Sequence, residues 1–232
     1  MADVGIKIWN DGGVVQIDSN YRNIAHLDII RITTIPSVGW VDVPLEDDKW
    51  YVFEPSAMAS TEDHPFLVSY TKSGSTVTKT YRVFYPCKIH VFGFIPSNSV
   101  STNYGLRIYD PEGNIAFDSS FRPFRVIDHI AENMTSAQMN SSEEFLVHEK
   151  TYGKRVGFCI SRGIQLTGWV GGTAHQRCLM FHCSGAGFLR IKFKTFYTSG
   201  GYGDTTASTG TLSSSAVMRY DFCIVDCSGL PE

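Results

Sequence analysis

The sequence has little charge, no long apolar run and none of the short motifs that mark common catalytic sites. Charged residues make up 19% of its 232 residues, and the formal net charge is −3. Proteins that bind nucleic acid usually present a basic face, so this balance argues against such a partner. A membrane-spanning helix needs about 18 consecutive apolar residues, and no such stretch is present.

Signals for export and catalysis are also missing. The first residues have neither the basic nor the apolar region of a secretory signal, so we expect synthesis in a cytoplasm, which the protein leaves, if at all, by lysis or as part of a particle. G-x-S-x-G, H-E-x-x-H, P-loop and dinucleotide-binding motifs do not occur. Neighbouring acids in predicted loops, at 46–48 and 143–144, are typical of solvated loops rather than of a glycosidase pair. The sequence therefore predicts no enzyme and no cofactor.

Cysteines are more frequent towards the C-terminal end, and they allow three interpretations. Free cysteine in a strand behaves as a small buried hydrophobe, whereas disulfides need an oxidising compartment. A metal cluster is the third interpretation, and its candidate ligands are Cys178, Cys183, Cys223 and Cys227. Cys178 and Cys183 are separated by an odd step, which places them on opposite faces of a strand. We expect buried, reduced and unligated thiols.

An internal repeat is the strongest signal in the sequence. Residues 5–28 align without a gap with residues 105–128, an offset of 100 residues. The identical pairs are Gly5/Gly105, Ile8/Ile108, Gly13/Gly113, Asp18/Asp118, Ser19/Ser119, Arg22/Arg122 and Asp28/Asp128. Self-similarity of this kind indicates a duplicated structural unit. We predict two similar β-sandwich units, residues 1–100 and 101–232.

Each copy of the repeat predicts a tight hairpin. Apolar and polar residues alternate before and after a turn at Asn10–Gly13 and at Asp110–Gly113. An Asx residue first, proline second and glycine fourth fit a type I turn closed by a left-handed residue. Further alternating segments, separated by turn residues, predict an all-β fold with little helix.

An Asp-Ser-x-aromatic-Arg motif follows each hairpin and has two interpretations. Asp18 with Arg22, and Asp118 with Arg122, form either a ligand-binding pair or a strand corner. In the corner, Asp and Ser satisfy backbone groups, the aromatic residue packs inward and Arg pairs with Asp. We favour the corner, because a duplicated fold needs it twice.

Several aromatic residues beside loops are candidates for ligand contact. An aromatic face suits the apolar face of a sugar ring. The candidates are Trp40, Trp50, Trp169, Tyr197 and Tyr202. The alternative is that they belong to the core or to contacts between subunits. The Gly, Ser and Thr-rich segment 198–215 is a candidate arm that orders on a neighbouring subunit.

The repeated motif resembles the opening of small bacteriophage tail proteins. The resemblance lies in Tyr104–Tyr109, Gly113 and Phe117–Arg122, with a divergent copy at Val4–Arg22 and a closing strand at Phe222–Gly229. It implies a structural virion protein at the tail tip, baseplate or fibre attachment, in contact with other tail proteins. It also implies a homo-oligomer, with a trimer favoured. The alternative is a receptor-binding module that holds a host-surface glycan.

Overall fold

A computed structural model describes residues 7–9, 15–18, 22–37, 39–55, 64–73, 76–96, 99, 105–135, 137–138, 144–162, 165–170, 173–184, 187–197 and 217–232. Regular structure in these ranges is nearly all β-strand, so the protein is all-β, as predicted. No helix within them is long and apolar enough to cross a membrane.

The strands follow the alternating segments of the sequence. Those of the first half are β1 (Lys7–Trp9), β2 (Val15–Asp18), β3 (Ile24–Ile32), β4 (Val41–Pro44), β5 (Trp50–Pro55), β6 (His64–Ser73), β7 (Thr76–Val83) and β8 (Cys87–Phe94). Those of the second half are β9 (Arg107–Tyr109), β10 (Ile115–Asp118), β11 (Val126–Thr135), β12 (Phe145–Thr151), β13 (Val156–Arg162), β14 (Gln165–Val170), β15 (Thr173–Ser184), β16 (Phe188–Tyr197) and β17 (Val217–Asp226).

Two large antiparallel sheets contain most of these strands. The six-stranded sheet has the order β11-β17-β13-β5-β8-β3. The other has the order β12-β16-β15-β6-β7-β4, with β14 paired beside β15. β1 pairs with β2, and β9 with β10, as the two predicted hairpins.

Each half of the chain contributes the same succession of strands to the two sheets. After its hairpin, the first half places its first, third and sixth strands, β3, β5 and β8, in the six-stranded sheet. The second half has one additional strand, β14, which belongs to the other sheet. When β14 is left out of the count, the first, third and sixth strands of the second half, β11, β13 and β17, likewise lie in the six-stranded sheet. Both strand orders are therefore symmetric about the seams β5–β13 and β6–β15. This symmetry supports the duplication, which stays a prediction, and it means that the units 1–100 and 101–232 share both sheets.

The inner faces of the two sheets meet in one apolar core. Phe53, Phe158 and Phe222 from the six-stranded sheet and Phe181 and Phe193 from the other are fully buried in the same cluster. The rings of Phe158 and Phe181 stack across the two sheets with centroids 3.8 Å apart. Large aromatic side chains bury much apolar surface each, so this layer holds the sheets and both halves together.

The seam between β5 and β13 depends on one glycine. A Cβ atom on Gly157 would lie 2.6 Å from Val52 Cγ1 and 2.8 Å from the carbonyl oxygen of Phe53. Both distances are shorter than ordinary contacts, and the second involves backbone that cannot rotate away. Only glycine therefore allows the two halves to approach this closely.

The outer face of the six-stranded sheet is also covered. Val52, Phe92 and Val225 form a second buried cluster there, closed by Leu230 from the segment after β17. The second hairpin packs on the first half. Its residue Ile115 joins a third cluster with Ala25 and Ile95.

Candidate functional site

A polar cluster lies on the covered outer face and joins the two halves. Glu54 is the residue before the last in β5, and both of its oxygens accept hydrogen bonds of 2.8 Å from the guanidinium of Arg155, which precedes β13. The same Glu54 lies 2.8 Å from Nε2 of His90, whose side chain is fully buried on β8. Nδ1 of His90 is 3.3 Å from Nε2 of His26 on β3. The cluster thus extends from the start of β13 across β5 and β8 to β3.

Electrostatics fix the charge state of this cluster. Burial acts to raise the pKa of Glu54, but hydrogen bonds from His90 and Arg155 outweigh it and lower the pKa to about 2. Burial, together with the neighbouring His90, lowers the pKa of His26. At neutral pH the cluster is therefore built around a carboxylate held by a guanidinium.

The same cluster contains a potential metal ligand set. Ligand atoms of Glu54, His90 and Cys227 all lie within 4.8 Å of one another, and the residue types suit zinc. However, both oxygens of Glu54 are engaged by Arg155. A cation would have to displace a guanidinium and then sit beside it, so this set fits a structural ion pair better than a metal centre.

Catalysis by a thiol does not suit Cys87, Cys159 or Cys227. Cys227 is fully buried, which closes the Cys227, His90 and Glu54 group to a substrate. Burial raises the pKa of both Cys87 and Cys159 to about 12. The thiolate is the nucleophile, so these protonated thiols are poor ones.

The predicted cysteine positions fall on both sheets. Cys178 and Cys183 belong to β15, in the seven-stranded sheet, whereas Cys223 belongs to β17 in the six-stranded sheet. Cys227 belongs to the buried cluster on the outer face of the six-stranded sheet, and Cys223 packs against that cluster. The side chains of Cys178 and Cys183 lie outside the described part of the structure. The strand that carries both, β15, lies in a different sheet from β17, which argues against a four-cysteine cluster. Cys87, Cys159, Cys223 and Cys227 form no disulfide among the described residues.

The corner after the second hairpin forms as predicted, except for its ion pair. Oδ1 of Asp118 accepts hydrogen bonds from the backbone N–H and the hydroxyl of Ser120, and Phe121 packs inward. The guanidinium that binds Asp118 is that of Arg107, at 2.6 Å, and not that of Arg122. The expected Asp118–Arg122 pair is therefore wrong. Arg107 lies directly opposite Asp118 in the hairpin, whereas Arg122 lies beyond the corner.

The first copy agrees with the second in its backbone register. Lys7 lies opposite Asp18, as Arg107 lies opposite Asp118, so each hairpin places a basic residue across from its aspartate. The side chain of Asp18 lies outside the description. Arg22 donates a hydrogen bond to the carbonyl of Ile95 and lies 4.7 Å over the ring of Phe94.

The aromatic candidates that the structure describes are engaged within the chain. The ring of Trp40 lies under the guanidinium of Arg82, at 4.7 Å. Trp50 packs edge-on against Phe94 with ring centroids 5.6 Å apart. Trp169 and Tyr197 lie on β14 and β16, but their side chains, and Tyr202 as a whole, lie outside the description.

A small cleft opens beside the second corner. Its volume is about 180 Å³, and the residues around it include Arg122, Pro123, Arg125, Asp226 and Leu230. Sequence reasoning singled out Arg122 but gave it the wrong partner. It missed Glu54, His90 and Arg155 altogether, although a lone glutamate and histidine in apolar strands were a usable signal.

No protein-family model, curated protein or solved structure matches the chain. Its function must therefore be argued from its own residues.

Proposed function

We propose that the protein is a structural subunit of a bacteriophage tail, at the tail tip, baseplate or fibre attachment, and that it acts through contacts with other tail proteins. The tail itself comes from the resemblance of the repeated motif. The emphasis on contacts comes from the distribution of polar and apolar groups in the described residues.

Exposed apolar side chains are the observation that carries this proposal. Leu106 and Tyr109 on the second hairpin are 48% and 53% exposed, and Leu146 on the edge strand β12 is 51% exposed. Val126, at the start of the other edge strand β11, is 46% exposed. Single exposed apolar residues are normal, but four of the five large ones among the described residues lie in 106–146, and two of these four lie on edge strands; the fifth is Phe94, at 37%. Edge strands need a cover, and a partner that buries these side chains supplies one.

The polar groups support the same conclusion by what they already bind. The partly buried Glu54 is satisfied by Arg155 and His90, and the buried Asp118 by Arg107 and Ser120. Groups that are satisfied within the chain hold the fold and leave little for a substrate. The alternative, a glycan-binding module, loses support because Trp40 and Trp50 are engaged within the chain.

The first test is the presence of the protein in particles. Gold-labelled antibodies against the purified protein should mark one end of the tail, and proteomics of washed particles should find it in a fixed ratio to other tail proteins. Particles that lack it would refute the proposal. The mass of the purified protein in solution should be about three times 25.8 kDa, because closed symmetry is usual for repeated copies and the resemblance favours a trimer.

A further inference from the structure

The cleft beside the second corner is formed by two segments that meet only in the folded chain. One is the corner that follows β10 and carries Arg122, Pro123 and Arg125; the other is the turn that follows β17 and carries Leu230. The backbone N–H of Asp226 donates to the carbonyl of Arg125, and that of Leu230 to the carbonyl of Cys227. Backbone hydrogen bonds therefore fix both walls.

Arg122 supplies this cleft with a guanidinium that has no partner among the described residues. Its backbone is anchored, since its carbonyl accepts a hydrogen bond of 2.7 Å from the N–H of His26. Its counterpart in the repeat, Arg22, donates a hydrogen bond to the carbonyl of Ile95 and lies over the ring of Phe94. The same motif position thus serves packing in one copy and faces a cleft in the other.

The remaining charges leave the cleft positive. Arg125 is 61% exposed and lies 3.7 Å from the carboxylate of Asp226, too far for a good hydrogen bond. Asp226 is instead satisfied by the backbone N–H of Ser228, at 3.0 Å, and by Lys154, at 3.3 Å. The charged residues that line the cleft are thus two arginines and one aspartate, on a chain whose net charge is −3.

Size and lining narrow the choice of ligand. About 180 Å³ is well below the roughly 300 to 1,000 Å³ of sites for drug-sized molecules, so the occupant is a single small group. Pro123 and Leu230 offer apolar contact to a short aliphatic stem. No aromatic side chain lines the cleft among the described residues, and a sugar site usually has one to stack on the ring.

We propose that this cleft binds the carboxylate of an aspartate or glutamate side chain presented by a protein partner. Guanidinium groups bind carboxylates through paired, charge-assisted hydrogen bonds, and Arg122 and Arg125 offer two such groups over an apolar floor. The inference rests on the proposed function only in that the partner is a tail protein.

Binding can be measured with a defined probe. The probe is the blocked tripeptide acetyl-Ala-Glu-Ala-amide, and its glutamine counterpart is the control ligand. The full chain is labelled with 15N-arginine, and the Nε–H signals of Arg122 and Arg125 are assigned from the variants R122Q and R125Q. The glutamate peptide should shift both signals and bind at least about tenfold more tightly than the glutamine peptide.

A matched arginine controls for charge alone. Arg219 is 54% exposed and 3.7 Å from Asp221, nearly the environment of Arg125, but it lies outside the cleft. R122Q and R125Q should each weaken binding about tenfold, and R219Q by less than about twofold. Unchanged NMR spectra elsewhere in each variant show that it is folded.

Three results would overturn the proposal: equal binding of both peptides, equal effects of R125Q and R219Q, or tighter binding of glucuronic acid or inorganic phosphate than of the glutamate peptide. The particle test is separate. Particles that lack the protein refute the tail function even if the cleft binds the peptide, and a cleft that binds nothing leaves the particle result intact.

Discussion

The two halves of the chain place their strands in the same order, but the structure uses their repeated residues differently. The guanidinium of Arg22 lies over the ring of Phe94 in its own half, whereas Arg122 lines a cleft. The second hairpin also covers the first half and exposes Leu106 and Tyr109. The comparison shows that two halves with the same strand order can share a core and still differ at the surface, where differences cost little stability.

The largest effect is expected from breaking the ion pair between the halves. Arg155→Gln removes the guanidinium from a carboxylate that is only 12% exposed and leaves it with His90 as its remaining partner among the described residues. We expect a loss of about 3 to 4 kcal/mol in the free energy of unfolding, measured by urea titration at pH 7.

An exposed ion pair provides the control. Lys192 lies 2.8 Å from Glu144, which is 51% exposed, and Lys192→Gln should cost less than about 1 kcal/mol. Equal losses for the two variants would show that Arg155 does not join the halves as described. One shared core also predicts a single unfolding transition, and two transitions would mean that the halves fold separately.

Low pH should weaken the ion pair between Glu54 and Arg155. The pKa of Glu54 is lowered from 4.5 to about 2, so its contribution is complete above pH 4.5 and is lost as the pH falls towards 2. The full contribution is about 3 kcal/mol. Urea titrations across pH 2 to 7 measure the loss, and Glu54→Gln should flatten its acid limb. An unchanged slope in that variant would contradict the assignment.

Protonation of His26, which lies beside the Glu54–Arg155 ion pair, should lower the stability of the protein at a higher pH. Burial lowers the pKa of His26 below 6.5, so the unfolded chain binds the proton more readily and stability falls as the pH drops below about 6.5. His26→Gln should remove part of this loss between pH 7 and 5.

The next largest loss of stability is expected at Gly157, the glycine at the seam between β5 and β13. Gly157→Ala places a methyl group against Val52 and the backbone of Phe53, and overpacking of this kind costs about 1 to 3 kcal/mol. Gly229→Ala meets nothing within 4 Å and is the matched control, which should change the unfolding free energy by less than about 0.5 kcal/mol. The seam as described is wrong if both variants are neutral by thermal unfolding.

The two corners test whether the copies are equivalent. Asp118→Ala removes the partner of Arg107 and Ser120 and should cost about 1 to 2 kcal/mol. If the duplication is real, Asp18→Ala costs a similar amount, while Arg122→Gln changes stability by less than about 0.5 kcal/mol. Urea titration of the three variants measures these costs. If Asp18→Ala leaves the stability unchanged, the two corners are not equivalent.

Local sequence patterns predicted the strands but not the pairs that form between them. The two hairpins form around the turns that the repeat predicted, because alternation and turn residues are local properties. A four-residue strand between turns, such as Val41–Pro44, carries too little pattern to be predicted in this way. The candidate arm 198–215 lies outside the described residues.

The candidate sites were harder to predict, and for a physical reason. Arg155 and Glu54 are 101 residues apart in sequence, and only the order of strands in the sheet brings them together. The Asp118 ion pair was mispredicted because proximity in sequence was given more weight than the hairpin register, which places Arg107 opposite the aspartate. Extending the register of the predicted hairpin would have found it.

The most direct test of the proposed function is a cryo-electron microscopy reconstruction of the tail that locates this chain. We predict that neighbouring proteins cover the second hairpin and the edge strand β12, so that Leu106, Tyr109 and Leu146 become buried at contacts. A particle without the chain, or one in which these three side chains face solvent, would contradict the proposal that this surface makes the protein part of the tail.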